Sequence, residues 1–423
     1  MIQYAAQTDV GRRRNQNEDA LFASVENGVF VVADGVGGRA AGELASALTV
    51  ETFEAACSEL NAAVDRYTAR PEWQTRNEVL ELLDGICQRA SRSVYDESER
   101  RNKRGMTTTL VTAVVGGGAV FLAHVGDSRA YLIRDGLIRQ LTEDHSMVNE
   151  LVRSGQMTYE EAIRSRYRSV ITRAVGLYPT VQADVMCIEV LPGDRLVLCS
   201  DGLSDPVSEE DIESIASQDD VETATSQLIL RALENGGPDN VTVVLIEPEA
   251  SEEAEAARAR AQVMEELFLF TDLPFHARLR VSRICEELFF TPGQVLVSEE
   301  APGDAMFVIV QGHVVVSRND IPLARLEAGQ HFGELGLLDD TPRSATVSGG
   351  SYGSAVVVRR AQLLEFTQRD PELGNHILLR LLAALGERLR DMNARLTNNV
   401  IQDIPASALE TVELTAEEPN SNA

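Results

Sequence analysis

The 423-residue sequence predicts an α+β fold: an antiparallel β-sandwich flanked by helices, followed by a smaller β-roll with C-terminal helices. Three observations lead there. Short apolar or alternating runs, broken by Asn-Gly, Gly-Gly-Gly, Asp-Gly and Pro-Gly turns, fill most of residues 20–247, as antiparallel strands do. Two helical stretches interrupt them, which suggests sheets packed between segregated helices. A second set of glycine-punctuated runs begins after a segment with no large apolar residue.

Taken in order, residues 29–33, 107–115, 119–125, 130–134, 195–199 and 241–246 read as strands. Around residues 40–60 the chain is alanine-rich, and Val79, Leu83, Ile86, Ala90 and Val94 recur at the spacing of one helical face. The stretch EPEASEEAEAARARAQ, from Glu247, cannot build a core and reads as a solvated, helix-prone linker. Beyond it, Gly293, Gly303, Gly312 and Gly329 punctuate strand-like runs at 294–297, 306–310 and 314–317, the pattern of a small roll or barrel. The end, ILLRLLAALGERLRDMNARL, sets Leu378, Leu382, Leu385, Leu389, Met392 and Leu396 at heptad steps. That helix either lies on its own domain or pairs with a second copy in a homodimer. The expected organisation is a first domain at 1–247, a linker at 248–265, a second domain at 266–397 and an acidic, disordered tail at 398–423.

The net charge of −28 argues against nucleic acid or an anionic membrane as partner, because phosphate would repel the chain. Five cysteines with no CxxC pair indicate neither a disulfide framework nor a zinc knuckle, so a reducing, cytoplasmic setting is expected. No signal core or run of about 20 apolar residues is present.

Charge is concentrated where chemistry would need it. FVVADGVGGRAAGE, from Phe30, places Asp34 after an apolar run and before Gly35, Gly37 and Gly38. Glu18 and Asp19 stand at another strand entrance, Asp201 follows LVLCS, Asp127 lies in a Gly-Asp-Ser turn and Asp239 in a Pro-Asp-Asn turn. Singly, each acid is an ordinary turn former or helix cap. Gathered at one sheet edge, they would repel one another unless cations neutralised them, and carboxylate sites without His or Cys suit Mg²⁺ or Mn²⁺.

The ordered motifs Arg14 with NED, DGVGG, GMTTTL, VGDSRAYL, LTEDHS, ITRAVG, SDGLSD and DNVT cover nearly all of residues 1–247 and resemble the metal-dependent protein phosphatase family, type 2C. That resemblance implies a sandwich flanked by helices and hydrolysis of phosphoserine or phosphothreonine in a phosphoprotein substrate. Asp34 would bridge two metal ions, aided by the Gly35 carbonyl. Glu18 and Asp19 would hold the sites directly or through water, Asp201 and Asp239 would complete one, and Asp127 would help hold a third, weaker ion. Arg14 would grip the substrate phosphate. Many eukaryotic members carry DGHGG, whose histidine can protonate the departing alkoxide; here Val36 stands instead. Protonation then falls to a metal-bound water or goes unassisted. The resemblance gives His145 a structural role and makes residues 147–167 the variable flap that influences substrate choice.

FGELGLLDDTPRSATV, from Phe332, resembles the phosphate-binding cassette of cyclic-nucleotide-binding domains, and the likeness extends over roughly 267–396. It implies that Glu334 accepts the ribose 2′-hydroxyl and that Arg343 pairs with the cyclic phosphate, with Gly333 and Ser344 lining the site. Ser344 leans toward cAMP over cGMP. Two functions stay open: a phosphatase regulated by the nucleotide, and a catalytically weak phosphatase-like scaffold that serves as a cyclic-nucleotide sensor.

Overall fold

The computed structural model describes residues 2–36, 41–103, 105–218, 220–249, 258, 268–338 and 341–402. Gly37, Gly38 and most of the expected linker and acidic tail lie outside them. The chain forms two compact units, one up to Leu363 and one from Leu364.

The first unit begins with β1 (Gln3–Asp9), β2 (Asp19–Ser24) and β3 (Val29–Val36), then helices α1 (Ala41–Ala55), α2 (Cys57–Ala69) and α3 (Trp73–Arg101). Next come β4 (Thr107–Thr108), β5 (Leu110–Gly116), β6 (Ala119–Val125), β7 (Arg129–Arg134) and β8 (Leu137–Gln140). Short helices α4 (Met147–Arg153) and α5 (Tyr159–Ile163) precede β9 (Asp184–Glu189) and β10 (Arg195–Cys199). The helices α6 (Asp201–Ser204), α7 (Glu209–Ala216) and α8 (Val221–Glu234) lead into β11 (Val241–Glu247). One sheet runs β2-β3-β5-β6-β9 with β4 against β3, and the other runs β1-β11-β10-β7-β8.

Both sheets are covered on both faces, which is why their central strands read as near-continuous apolar runs. Along β3, Val29 and Val31 join the core shared with α1–α3, while Phe30 and Val32 enter the core between the sheets. Along β10, Val197 and Cys199 face α7 and α8, and Leu196 and Leu198 face the opposite sheet. The predicted helical face of Val79, Leu83, Ile86, Ala90 and Val94 is fully buried.

Some elements differ from expectation. The helical stretch at 40–60 is two helices broken at Ala56, a residue with no side chain to mark a cap. The strand expected at 107–115 is split at Thr109. Strand β1 escaped the apolar reading because it is polar-rich and only partly buried, and it is fixed by antiparallel pairing along the whole of β11.

After α9 (Phe275–Ser282) come β12 (Cys285–Phe290), β13 (Val295–Val297), β14 (Ala305–Gln311), β15 (His313–Arg318), β16 (Ile321–Glu327), β17 (His331–Phe332), β18 (Thr346–Gly349) and β19 (Gly353–Arg359). They form two four-stranded sheets, β12-β19-β14-β17 and β13-β18-β15-β16, so the region is a roll and not a closed barrel. Phe290, Phe307, Ile309, Val314, Val347 and Val357 fill its core. The second unit contains a helix at Pro371–Gln402, on which Leu382 and Leu389 of the heptad seam are exposed. The side chains of Met392 and Leu396 lie outside the described set. Among the described residues, no helix is long and apolar enough to cross a membrane.

Gly35 shows how closely β3 and α1 approach. A Cβ there would stand 2.2 Å from the Gly42 carbonyl oxygen and 2.5 Å from that of Glu18. Both obstacles are backbone, so Gly35→Ala must push the helix from the sheet, and it is expected to lower unfolding free energy by about 2 kcal/mol in a denaturant titration.

Candidate active site

Strand pairing creates the site. In the β2–β3 ladder Asp19 lies directly opposite Asp34. Strand β3 continues through Val36, paired with β4, so Asp34 sits inside the strand and not at its end as the sequence suggested. The Asp34 amide donates to Thr109 Oγ1 at 3.0 Å, and its carbonyl accepts from the Thr109 amide at 2.8 Å. The backbone around this carboxylate is therefore anchored on both sides.

The other sheet delivers the remaining acids. Ser200 Oγ and Thr242 Oγ1 donate to Asp19 Oδ2 at 2.8 and 2.6 Å, tying the ends of β10 and β11 to β2. Asp201, the first residue of α6, follows Ser200. Asn240 gathers the loops: its Oδ1 accepts from the Glu18 amide, and its Nδ2 donates to the Val10 and Gln16 carbonyls, each at 2.9 Å. Asp239 accepts from Arg14 Nη2 at 2.6 Å. That pair is 51% and 32% exposed, so it orients Arg14 more than it stabilises the fold. The Glu18 carbonyl accepts from the Gly35 amide, while its Oε2 lies beside Gly42 of α1.

These placements make the carboxylates interact. Burial raises Asp34 well above the ordinary carboxylate range, and the charges of Asp19, Asp201, Asp127 and Asp239 raise it further. Asp201 is raised likewise, first by burial and then by Asp127, Asp205, Asp239 and Asp19. Burial pushes Asp19 up to about 6 against the opposing hydrogen bonds of Thr242 and Ser200. Burial, with Asp144 and Asp205, pushes Asp127 up to about 7. Asp19 Oδ1 and Asp201 Oδ1 are buried without a hydrogen-bond partner. Unpaired, mutually repelling carboxylate oxygens are what a hard cation would satisfy, so the donor set fits Mg²⁺ or Mn²⁺. Among the described residues, no three His, Cys, Asp or Glu side chains form a closed ligand group.

Several contributors were not singled out from the sequence. Ser200, Thr242 and Asp205 all lie inside the SDGLSD and DNVT motifs, but only the fold shows the hydroxyls orienting Asp19 and Asp205 acting on Asp127 and Asp201. Thr109 and Asn240 are neutral residues whose roles depend on contacts distant in sequence. His145 Nδ1 accepts from the Gly126 amide at 3.0 Å, and its ring lies 4.7 Å from that of His124. Val36 is 42% exposed. The expected flap carries α4 and α5, capped by Ser146 and Thr158.

In the roll, Gly333 adopts φ 80° and leads into a single 3₁₀ turn, Glu334–Leu337, with Glu334 buried. Arg343 Nη2 donates to the Ala305 carbonyl at 2.7 Å and Nη1 to that of Gly333 at 3.2 Å, while Ser344 is exposed beside it. The two anchors predicted from the cassette thus lie on one side of the roll, at the start of its short helical turn.

Comparison with known proteins agrees with this arrangement. The Protein phosphatase 2C profile matches residues 8–228, and a cyclic nucleotide-binding domain profile matches residues 287–370. The serine/threonine phosphatase stp of Listeria monocytogenes is 36% identical over 256 residues, which cover 59% of this chain and 97% of that protein. The serine/threonine protein phosphatase PstP of Mycobacterium tuberculosis is 38% identical over 246 residues, 58% of this chain and 45% of that protein. The crystal structure of the Mycobacterium tuberculosis phosphatase PstP/Ppp superposes with a TM-score of 0.53 at 37% identity, over 59% of this chain and 99% of that one. A structure of the PstP catalytic domain with two manganese ions superposes at 0.50, also at 37% identity, over 58% of this chain and 97% of that one. With its carboxylates on the facing edges of two sheets and more than half its length matched, the chain belongs to the protein phosphatase 2C family and carries a cyclic nucleotide-binding domain.

Proposed function

We propose that this chain hydrolyses phosphoserine and phosphothreonine in proteins with Mg²⁺ or Mn²⁺, and that cAMP or cGMP bound to its C-terminal roll regulates it. What carries the reading is the Asp19–Asp34 cross-strand pair with Asp201, Asp127 and Asp239 in its field, two of the oxygens buried without partners. Asp34, with the Gly35 carbonyl, would hold two cations together with Glu18, Asp19, Asp201 and Asp239, and Asp127 would help hold a third, weaker one. Such cations supply a water of lowered pKa as nucleophile and neutralise charge on the phosphoryl oxygens. Arg14, exposed at the rim and aimed by Asp239, can hold two phosphoryl oxygens bidentately as charge develops. Its ordinary pKa is raised, first by the hydrogen bond to Asp239, so it stays charged throughout. Val36 offers no proton to the departing alkoxide. The two manganese ions bound by the PstP catalytic domain, 37% identical to this chain, support the assignment of the metal.

Glu334 and Arg343 take the ribose and the cyclic phosphate, beside Gly333 and Ser344. The domain limits 1–247 and 266–397, a cytoplasmic setting with neither nucleic acid nor membrane as partner, and a homodimer through the C-terminal heptads belong to the same proposal.

Asp34→Asn is expected to lower Mn²⁺-dependent hydrolysis of a phosphopeptide by about a thousandfold or more. Full activity in that variant removes the two-cation assignment. A wild-type chain that binds cyclic nucleotide but hydrolyses no phosphoester with Mn²⁺ is instead a sensor scaffold. Arg343→Ala should abolish the rise in Tm that cAMP or cGMP gives the wild type, checked by thermal shift.

Asp127 binds its proton more tightly in the fold, at about 7, than in the unfolded chain, at 3.8. Its contribution to metal-free stability is therefore present at low pH and lost as pH rises through about 7. Asp127→Asn should raise the metal-free Tm near pH 8 and leave it nearly unchanged near pH 4. Equal shifts at both pH values would contradict the buried-carboxylate account.

A further inference from the structure

The loop that carries Asp127 is held by two consecutive residues, Asp144 and His145, which follow Glu143. Asp144 clamps Arg129, two positions after Asp127, with Nε to Oδ1 at 2.9 Å and Nη2 to Oδ2 at 2.7 Å. His145 holds Gly126, the position before it, through both its amide, which donates to the Gly126 carbonyl at 2.7 Å, and its Nδ1. Asp127 thus has fixed neighbours on either side.

Part of what holds residues 143–145 comes from outside the sandwich. Glu143 and Asp184 are two largely buried acids, and Arg280 of α9 meets both: Nη1 stands 3.1 Å from Glu143 Oε2 and 3.3 Å from Asp184 Oδ2. Asp184 Oδ2 in turn lies 3.4 Å from His145 Nε2. Arg173 Nη1 also pairs with Asp184 Oδ1 at 2.9 Å, and Arg153 and His276 lie 3.5 and 3.7 Å from Glu143, but Arg280, 13% exposed, is the cation that meets both acids, so removing its charge weakens the neutralisation of each in a poorly solvated place. Burial alone would raise Asp184, yet His145, Arg280 and Arg173 hold it well below the ordinary carboxylate range.

Helix α9 is seated firmly enough to bear this role. Phe275 and Leu279 pack against the core between the sheets, and the Arg139 guanidinium lies 4.8 Å above the Phe275 ring. The segment at its C-terminal end is tied to α3: Arg76 Nη2 donates to the Ser282 and Cys285 carbonyls at 3.3 and 2.6 Å, and Trp73 Nε1 to the Arg283 carbonyl at 2.9 Å. Residue 280 falls between the two family matches, which end at 228 and begin at 287.

We infer that Arg280 is a positioning residue for the active site: through Glu143, Asp184 and His145 it fixes the Gly126–Arg129 loop and so the Asp127 carboxylate. The phosphatase site is then completed by a helix that leads directly into β12 of the roll. Displacement of α9 loosens Asp127 without touching Asp34. The part that concerns turnover rests on the proposed function; the structural part does not.

The test uses the full-length chain with Arg280→Ala and Arg280→Lys, comparing amide hydrogen exchange with Mn²⁺ dependence. In Arg280→Ala the amides of residues 126–129 should exchange about tenfold faster, with β3 amides unchanged. The Mn²⁺ concentration for half-maximal phosphopeptide hydrolysis should rise about fivefold while KM for the peptide stays constant. Because a cation at the Nη1 position lies within reach of both acids, lysine should restore both readouts. If the alanine variant does not fold, Arg280→Gln, which keeps most of the side chain but not the charge, carries the same expectations. Unchanged exchange at 126–129, a rise spread evenly over the strands, or no rescue by lysine overturns the inference. A wild type without phosphatase activity defeats the proposed function, while the exchange result still decides the role of Arg280.

Discussion

The constraint on which the first unit turns is the crowding of carboxylates at the facing edges of its two sheets. Asp19 and Asp34 oppose each other across a ladder, and Asp201, Asp127 and Asp239 are brought within their field. A fold seeking only stability would place solvated or apolar residues there, because buried like charges destabilise it. The surrounding residues accept that strain in an organised way. Ser200 and Thr242 donate to one oxygen of Asp19 and leave the other unpartnered, and Asn240 ties the Glu18 loop to the start of β11 with neutral hydrogen bonds. Glycines 35 and 202 let backbone approach backbone where any Cβ would collide.

A second consequence is the way the sandwich and the roll meet. The sandwich presents acids, Glu143 and Asp184, and the segment before the roll presents Arg280; α3 supplies donors to the segment at the C-terminal end of α9. Charge complementarity and hydrogen bonding therefore act together at one junction, next to the loop of one candidate metal ligand. Along the chain β12 follows α9 after two residues and pairs with β19, which pairs with β14, the strand whose Ala305 carbonyl accepts from Arg343.

Much of the fold was legible because two-sided burial leaves a plain mark. Strands β3, β6 and β11 are apolar on alternate residues toward two different cores, and α3 keeps one strict helical face. Elements with weaker marks were missed: polar β1 is held by its partner, and the break at Ala56 has no capping side chain. The site was legible as a set of acids in ordered motifs, together with Glu334 and Arg343 of the roll. Its supporting hydroxyls and amides were not, because a serine, threonine or asparagine in a turn looks the same whether or not it faces a buried acid.

By itself the sequence determined which acids stand in the ordered motifs, the small residues beside them, and the order of two family patterns along it. Tertiary structure alone decided that these acids meet: Thr242 binds Asp19 from 223 positions away, and only antiparallel pairing in two stacked sheets closes that distance. It alone also decided that Arg280, one of many charged residues in an unmarked segment, becomes the counter-charge for two buried acids. Local propensity sets strands and turns, but which charges share a low-dielectric space is fixed only when the layers pack.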